Sequence, residues 1–326
     1  MAPLPRPQAS TVRAIYAAYE NDNNPRDGKT IPASQIAEEC ERKLWFDFRW
    51  VSPHEHIEGR KLRLFETGNI EEERWIENLR RIGCEVVDRD ERTGGQIRVD
   101  LCGGHVGGYL DSEILGLPEA PKTWHVGEIK SHNLKSFTAL KKDGVKAGKP
   151  LHYGQMQTYM HARGRDRAIY LAVCKDNDEL YAERVNYDMD YCLRLMAKAE
   201  RIIHANDTPA RISDDPDFYA CGWCKHLPAC HQGAWPRSNC RTCLYSSPED
   251  GGSWSCARFS KPLSLDEQKA GCSAHLFLPA LVPGEQIDSD EAAETVTYRL
   301  YSGRTWVDGQ DAVPGASKQE DFKNAD

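Results

Sequence analysis

The sequence predicts a mixed α/β protein of the α+β kind, with a mixed central sheet flanked by helices. Two observations predict this class. The first is the order of the predicted elements, in which three strands, a helix, two strands and a second helix follow one another. In chain order the strands are predicted at residues 96–102, 108–115, 123–130, 168–174 and 179–187, and the helices at 151–162 and 191–205. The other is a change of composition near residue 215, beyond which Cys, Pro, Gly, Trp and Ser are frequent. A Cys-rich C-terminal module is therefore expected after the sheet.

Three further helices are predicted ahead of the sheet. The first covers residues 11–20. Ser34 can cap a second helix that runs through Ile36 and Leu44, because its hydroxyl can accept from a free N–H of the first turn. The third, at 66–82, has the spacing of apolar residues that a helix buries on one side.

Composition divides the chain into four parts. These are an N-terminal extension (1–33), a main domain closed by cysteines (34–235), a Cys-rich zinc-binding-like module (236–280), and a last part with an acidic linker, a hairpin and a tail (281–326). The hairpin is predicted at 295–309, where Ser-Gly lies near the turn. About 12 residues at the C-terminus are expected to be disordered.

Charge and hydropathy exclude several classes of protein. The chain has 326 residues, with 42 Lys+Arg against 50 Asp+Glu and 40% apolar residues, which argues against wholesale disorder. No run approaches the ~18–20 apolar residues of a membrane span, and the first residues lack the apolar region of a secretory signal, so a cytoplasmic protein without a membrane partner is expected. The formal net charge of −8 argues against coating nucleic acid by bulk charge, but it allows a local basic groove.

Twelve cysteines are the main anomaly of the composition, and seven of them fall between Cys221 and Cys272. A disulfide scaffold fits poorly, because the chain is long and lies well below the ~8–10% Cys of such scaffolds. Clustered cysteines in a reducing compartment more often bind metal.

A carboxylate and a lysine share one face of the predicted strand at 123–130. The period of two places Glu128 and Lys130 on the same side, and Asp111 lies on the preceding predicted strand. Such a set suits metal-assisted hydrolysis, in which carboxylates hold a divalent ion and the lysine orients or helps to deprotonate a water. A surface salt bridge is the alternative, since the pattern [D/E]-x-K occurs five times in the chain.

Glu72 lies in the apolar stripe of the helix predicted at 66–82. At about 100° per residue, Phe65, Ile76 and Leu79 fall on the same side of that helix. A carboxylate on a buried face is costly unless it is paired or bound to metal, so a buried salt bridge or a metal ligand is expected.

Gln155 and Tyr159 stand at i and i+4 on the helix predicted at 151–162. Gln155 could hydrogen-bond a scissile phosphate or a metal-bound water, with Tyr159 beside it. The alternative is an amphipathic helix whose Gln faces solvent.

The stretch 122–150 is basic, with seven Lys and two acids, and it spans the end of the predicted strand and a predicted Gly-containing loop that leads to the next helix. Such a loop suits contact with the phosphate backbone without base reading. The candidate DNA-binding residues in it are Lys135, Lys141, Lys142, Lys146 and Lys149. A solvated lysine-rich loop is the alternative.

Together these residues resemble the PD-(D/E)XK nuclease superfamily, and within it the RecB-like and YqaJ-like bacteriophage exonuclease branch. The motifs that carry the resemblance are G-x3-E ending at Glu72, GYLD ending at Asp111, EIK at 128–130, and Q-x3-Y from Gln155 to Tyr159. They occur in the family's order over roughly residues 34–235. The resemblance implies a restriction-endonuclease-like core.

The resemblance also implies a role for each of these residues. The implied ligands of Mg²⁺ or Mn²⁺ are Glu72, Asp111, Glu128 and the Ile129 carbonyl. Lys130 would position the attacking water, and Gln155 and Tyr159 would support the site. Many RecB-like members have His where this chain has Glu72, whereas the viral recombination exonucleases have Glu. Glu113 is a further carboxylate without an assigned role.

The first cysteine group, Cys221, Cys224 and Cys230, has the spacing C-x2-C-x5-C and lacks a fourth ligand. The chain resembles AddB-type helicase–nucleases and CRISPR-adaptation nucleases, which carry one Cys before the nuclease core and a trio after it. The resemblance implies that Cys40 joins the trio to bind a 4Fe–4S cluster. Zn²⁺ on the same ligands, or on the trio with His231, is the alternative.

The second cysteine group consists of Cys240, Cys243, Cys256 and Cys272, spaced C-x2-C-x12-C-x15-C. The spacing of the first pair is typical of zinc knuckles, and the whole fits a small zinc-ribbon-like module. His275 could replace Cys272 as a ligand. Reduced cysteines in a small core are the alternative to Zn²⁺.

The sequence therefore predicts a Mg²⁺- or Mn²⁺-dependent deoxyribonuclease, expected to be an exonuclease, in phage or bacterial DNA recombination, repair or processing. Its expected partners are single-stranded DNA or double-stranded ends, and a recombination or replication protein. A nuclease for CRISPR spacer processing and a non-catalytic DNA-binding subunit that keeps the fold are the alternatives. An iron–sulfur redox protein would leave the carboxylates unexplained.

Overall fold

A computed structural model describes residues 10–24 and 27–314 of the chain. The helices are α1 (Ser10–Asp22), α2 (Glu41–Phe48), α3 (Gly59–Arg81), α4 (Leu134–Gly148), α5 (Pro150–Arg163), α6 (Met189–His204), α7 (Leu227–His231) and α8 (Leu265–Ala270). The first eight strands are β1 (Ile31–Pro32), β2 (Glu85–Val87), β3 (Ile97–Leu101), β4 (Val106–Leu110), β5 (Ser112–Leu115), β6 (His125–His132), β7 (Arg167–Cys174) and β8 (Leu180–Asn186). The remaining strands are β9 (Ser246–Glu249), β10 (Ser253–Cys256), β11 (Lys261–Leu263), β12 (Gly284–Asp290), β13 (Thr295–Leu300) and β14 (Thr305–Asp308).

A five-stranded mixed sheet forms the centre of the fold, which confirms the predicted class. Its strand order is β2-β5-β6-β7-β8, and β6 and β7 run parallel while the other neighbours run antiparallel. The connection from β6 to β7 passes through α4 and α5, as a parallel pair requires. A smaller sheet, β1-β4-β3, lies beside it.

Helices cover both faces of the central sheet. On one face, Met156 of α5 and Leu140 of α4 pack against Tyr170 of β7. On the other, Ile76 of α3 packs in a cluster that contains Ile129 of β6. Strands buried on both faces are apolar throughout rather than alternating, which accounts for the apolar run in β7.

Three local predictions are wrong. Residues 108–115 do not form one strand, because the chain leaves β4 in the small sheet and enters β5 in the central sheet on either side of Asp111. Ser34 caps no helix. It lies in a turn, and α2 begins only after Cys40. The part of the lysine-rich stretch predicted to form a loop is instead the helix α4, which Asn133 caps by accepting a hydrogen bond from the Ser136 N–H.

Two small antiparallel sheets follow the main sheet. One has the order β11-β10-β9, and the other, β12-β13-β14, contains the predicted hairpin between β13 and β14. The disorder predicted for the C-terminus falls mainly on residues 315–326, which lie outside the described residues. No helix in the described part of the chain is both long and apolar enough to cross a bilayer.

Two buried arginines join the Cys-rich part to α2. Arg241 donates to the Phe48 carbonyl at 2.9 Å, and its guanidinium lies 3.9 Å from the ring centroid of Trp50. Arg49 in turn donates to the Arg241 carbonyl at 3.0 Å. These reciprocal contacts satisfy buried donors and hold the segment around Cys240 against the main domain.

Candidate active site

Strand β6 carries Glu128 and Lys130 on the face that α5 covers. Glu128 is fully buried and Lys130 is mostly buried, and the two side chains form an ion pair. Apart from this contact of Lys130 with Oε1, no described residue donates a hydrogen bond to either Glu128 oxygen. A buried carboxylate with unfilled lone pairs is unfavourable, so this position retains capacity for a further cation.

Asp111 reaches the same site from the junction of β4 and β5. Its Oδ2 accepts the Ile129 N–H at 2.7 Å and lies 3.6 Å from Lys130 Nζ. Lys130 Nζ also donates to the Ile129 carbonyl at 3.0 Å. The ammonium therefore lies among three groups predicted to bind metal: two carboxylates and one carbonyl.

Glu72 of α3 is half-buried and contributes negative charge to the same cluster. Burial first, and then the charge of Asp111, raise the pKa of Glu72 to about 7. Burial raises the pKa of Glu128 to about 8, with Asp111 and Glu72 adding to the effect and Lys130 opposing it. One ammonium is therefore too little positive charge for three carboxylates in this environment.

Within residues 10–24 and 27–314, no set of three or more His, Cys, Asp or Glu side chains is disposed to hold a metal ion as the side chains stand. At the carboxylates the contacts of Lys130 supply the physical reason, because its ammonium occupies the space between them. Carboxylate and carbonyl oxygens with waters are nonetheless the donors that Mg²⁺ prefers. The unpartnered Oε2 of Glu128 makes the residues present a chemical fit for such an ion.

Gln155 and Tyr159 lie on the buried side of α5. Gln155 Nε2 donates to Tyr159 Oη at 3.3 Å, and Gln155 Oε1 has no partner among the described residues. A Cβ atom at Gly108 would come within 2.5 Å of Tyr159 Oη, so only glycine leaves room for this tyrosine. The alternative of a solvent-facing Gln is wrong, since Gln155 is 6% exposed.

Glu113 does not belong to the carboxylate cluster. It is buried and paired with Arg163 and Arg165, each at 2.8 Å. Burial alone would raise the pKa of Glu113, but the hydrogen bonds from these two arginines hold it below its ordinary value. Its charge is therefore already compensated.

The predicted DNA-binding lysines differ in their partners. Lys141 pairs with Glu179, Lys146 lies 3.3 Å from Asp188, and Lys149 donates to the Ser136 hydroxyl at 2.7 Å. Lys135 and Lys142 are exposed and have no ion pair within the described part of the chain. These two retain a free charge for a phosphate backbone.

Sequence reasoning missed three polar residues beside Lys130, namely His132, Tyr170 and His152. His132 continues the alternation of Glu128 and Lys130 along β6, so the period of two already placed it on the same face. His152 stands one turn before Gln155 on α5. Hydrogen bonds among these three residues connect β6, α5 and β7 beside the site.

The first cysteine group is brought together across the chain. Cys40, Cys221, Cys224 and Cys230 line one cavity, although Cys40 precedes α2, Cys221 and Cys224 precede α7, and Cys230 lies within α7. Burial raises the pKa of the Cys221 and Cys224 thiols, and neighbouring cysteines of the group add to the effect. Arg42 Nη1 lies 3.9 Å from Cys230 Sγ and would offset the charge of thiolates here. The four thiols therefore face one cavity, although as they stand they are not disposed to hold a metal ion.

The second group also converges, around the β9-β10-β11 sheet. Cys240 and Cys243 are buried, and burial raises the pKa of Cys240 to about 11, with Cys243, Cys272 and Cys256 adding to the effect. His275, the predicted substitute ligand, instead shares a hydrogen bond of 3.3 Å with Thr242. Its Nε2 is therefore already in use.

Comparison with known proteins establishes no family for this chain. No protein-family model matches it, and no curated protein matches it. Among solved structures, that of SSO0001 is 14% identical at a TM-score of 0.39, covering 68% of this chain and 96% of its own. The alkaline exonuclease LHK-Exo from Laribacter hongkongensis is 15% identical at a TM-score of 0.36, and 16% identical at 0.35 in its complex with dAMP. Each LHK-Exo match covers 58% of this chain and 90% of the other. Similarity at this level assigns neither a family nor an activity.

Proposed function

We propose that the chain is a Mg²⁺- or Mn²⁺-dependent DNA nuclease of the PD-(D/E)XK type, acting as an exonuclease on phosphodiester bonds. The observation that carries this proposal is the position of the Lys130 ammonium among Asp111, Glu128 and the Ile129 carbonyl, with Glu128 Oε2 unpartnered among the described residues. A protein that keeps the fold only to bind DNA has no physical need for buried, converging charges, because these lower its stability.

Each residue of the site then has a chemical task. Glu72, Asp111, Glu128 and the Ile129 carbonyl would hold the ion, and the ion when bound supplies positive charge for the phosphoryl oxygens and a nucleophilic water. Glu128 and Asp111 raise the pKa of Lys130 although burial opposes its charge, so Lys130 is a hydrogen-bond donor. It can orient a water or a non-bridging phosphate oxygen. Gln155, through its unpartnered Oε1, can accept a hydrogen bond from the same water and so help to orient it.

We further propose that Cys40, Cys221, Cys224 and Cys230 bind a 4Fe–4S cluster, and that Cys240, Cys243, Cys256 and Cys272 bind Zn²⁺. A link between Cys40 and the trio closes a loop of nearly the whole domain, so the first site would stabilise the fold. Iron, sulfide and zinc analysis of protein purified without oxygen tests both assignments. Cys221→Ser should remove iron alone, and Cys243→Ser should remove zinc alone.

The test of catalysis compares the wild type with Lys130→Ala on end-labelled single- and double-stranded DNA, with Mg²⁺ or Mn²⁺. Lys122→Ala, an exposed lysine in the β5–β6 loop, is the matched control. Metal-dependent degradation that only Lys130→Ala abolishes supports the proposal, and the product ladder then gives polarity. Equal behaviour of all three proteins, with the cluster present, would leave the non-catalytic DNA-binding subunit as the better reading.

A further inference from the structure

A continuous hydrogen-bonded chain extends away from the candidate site. Tyr170 is the cross-strand neighbour of Glu128 in the register of β6 and β7, and it is fully buried. Its hydroxyl lies 2.8 Å from His132 Nε2 and 2.8 Å from His152 Nδ1. His132 Nδ1 lies 3.0 Å from the Ser136 hydroxyl, which receives a hydrogen bond from Lys149. The nuclease chemistry above uses none of these five residues.

The Lys149 end favours one direction for this chain. An ammonium has only donors, so the Ser136 oxygen accepts from Lys149 and its proton goes to His132 Nδ1. His132 then donates through Nε2 to the Tyr170 oxygen, and the Tyr170 proton goes to His152 Nδ1. The reverse direction would make the Ser136 oxygen accept twice and leave its hydroxyl proton without an acceptor, which is unfavourable in a partly buried position.

His152 Nε2–H is the free donor at the end of the chain. It has no hydrogen-bond partner within the described residues and is absent from their buried unpartnered atoms, so it retains some exposure to solvent. Burial, and then the charge of Lys130, lower the pKa of His152 to about 3. Burial, and then the charge of Lys149, lower the pKa of His132 to about 4. Both rings are therefore neutral at neutral pH, and Lys130 is close to His152.

We propose that His152 donates its Nε2–H to a non-bridging phosphate oxygen of the bound DNA strand, and that the chain from Lys149 through Tyr170 holds the tautomer that makes this possible. The inference rests on the proposed nuclease function. A fixed neutral donor beside Lys130 contacts a phosphate without adding a second charge near the carboxylates. His152 is then a substrate-contacting residue, while Tyr170 and His132 are positioning residues.

The tautomer can be measured without substrate, in protein selectively labelled with ¹⁵N-histidine. We expect the ¹⁵N shifts of both His132 and His152 to be those of neutral rings protonated at Nε2. Tyr170→Phe removes the proton that His152 Nδ1 accepts, so the His152 signal should become an average of two tautomers. A His152 ring protonated at Nδ1 in the wild type would overturn the inference, whatever the activity of the protein.

The contact with phosphate is tested by binding, in the presence of EDTA so that no cleavage occurs. A fluorescent single-stranded oligonucleotide should bind His152→Phe about 10- to 100-fold more weakly than the wild type, as expected for loss of a hydrogen bond to a charged group. His152→Gln, which keeps an N–H donor, should recover part of the loss.

His161→Phe is the matched control for this experiment. His161 lies on the same helix and makes a similar pair with Tyr187, at 2.8 Å with stacked rings, on an exposed surface. The His161→Phe variant should bind the oligonucleotide as tightly as the wild type does. Equal binding by His152→Phe and His161→Phe would refute the contact. The expected weaker binding by His152→Phe, together with no DNA cleavage by the wild type when Mg²⁺ or Mn²⁺ is supplied in a separate assay, would refute the nuclease proposal and leave the phosphate contact standing.

Discussion

Affinity of the site for a divalent ion should depend steeply on pH. The ligands must be deprotonated to bind metal, so each protonated carboxylate must lose its proton on binding. In the metal-free protein the pKa of Glu128 is raised to about 8 and that of Glu72 to about 7, in both cases chiefly by burial. Both groups are ionised above these values and protonated below them, so raising the pH should strengthen binding.

The magnitude follows from counting the protons that binding releases. Between about pH 7 and 8 only Glu128 is mostly protonated, and the apparent dissociation constant for Mn²⁺ should fall about tenfold. Between about pH 6 and 7 both glutamates are mostly protonated, and the fall should approach about a hundredfold. Above about pH 9 the dependence should vanish.

Isothermal titration calorimetry with Mn²⁺ measures this dependence, and buffers of different ionisation enthalpy count the released protons directly. Glu128→Gln removes one of the two protons, so its slope should be smaller by about one proton below pH 8. Glu119→Gln, an exposed carboxylate outside the cluster, should leave the slope unchanged. A dissociation constant that is the same at pH 6.5 and 8.5 would refute the account of Glu72 and Glu128 as buried, protonated ligands.

Three further perturbations test other parts of the structure. Lys130→Met removes the ammonium that competes with a metal ion for the space between the carboxylates. Calorimetry at pH 9 should therefore show tighter Mn²⁺ binding, although DNA cleavage is lost. Weaker Mn²⁺ binding would contradict this competition. Gly108→Ala places a methyl group against Tyr159 and should lower the free energy of unfolding by about 1–3 kcal/mol in urea titrations, and Tyr159→Phe should restore part of that loss. Arg241→Met leaves the Phe48 carbonyl and its neighbours without a donor and should cost about 2–4 kcal/mol in the same assay, whereas an unchanged midpoint would show that the Cys-rich part does not depend on this contact.

Local geometry explains which parts of the site could be predicted. The alternation of a strand is enough to put Glu128 and Lys130 on one face, and their ion pair confirms that placement. The 3.6-residue period is enough to bring Gln155 and Tyr159 into contact, as their hydrogen bond shows. Ile76 and Leu79 are buried as the same period predicts, whereas Phe65 is 51% exposed, because the stripe extends beyond the part of α3 that packs on the sheet. These relations hold within one element and need no knowledge of its neighbours.

Contacts between distant segments decided the rest. The sequence predicted that Asp111 belongs to the site. Only the passage of the chain between two sheets brings Asp111 Oδ2 to the Ile129 N–H, from which it accepts a hydrogen bond. Glu113, two residues later, is removed from the cluster by Arg163 and Arg165, which no local pattern reveals.

The sequence by itself determined the mixed α/β class and the identity of the charged residues, because both follow from periodicity and residue chemistry. Only the tertiary structure decided which charged and polar side chains contact one another. It placed the Lys130 ammonium between carboxylates from separate elements, and it linked Lys149 to His152 through β6 and β7. The physical reason is that burial and the partners of a polar group are set by the elements packed around it, and those elements are far apart along the chain.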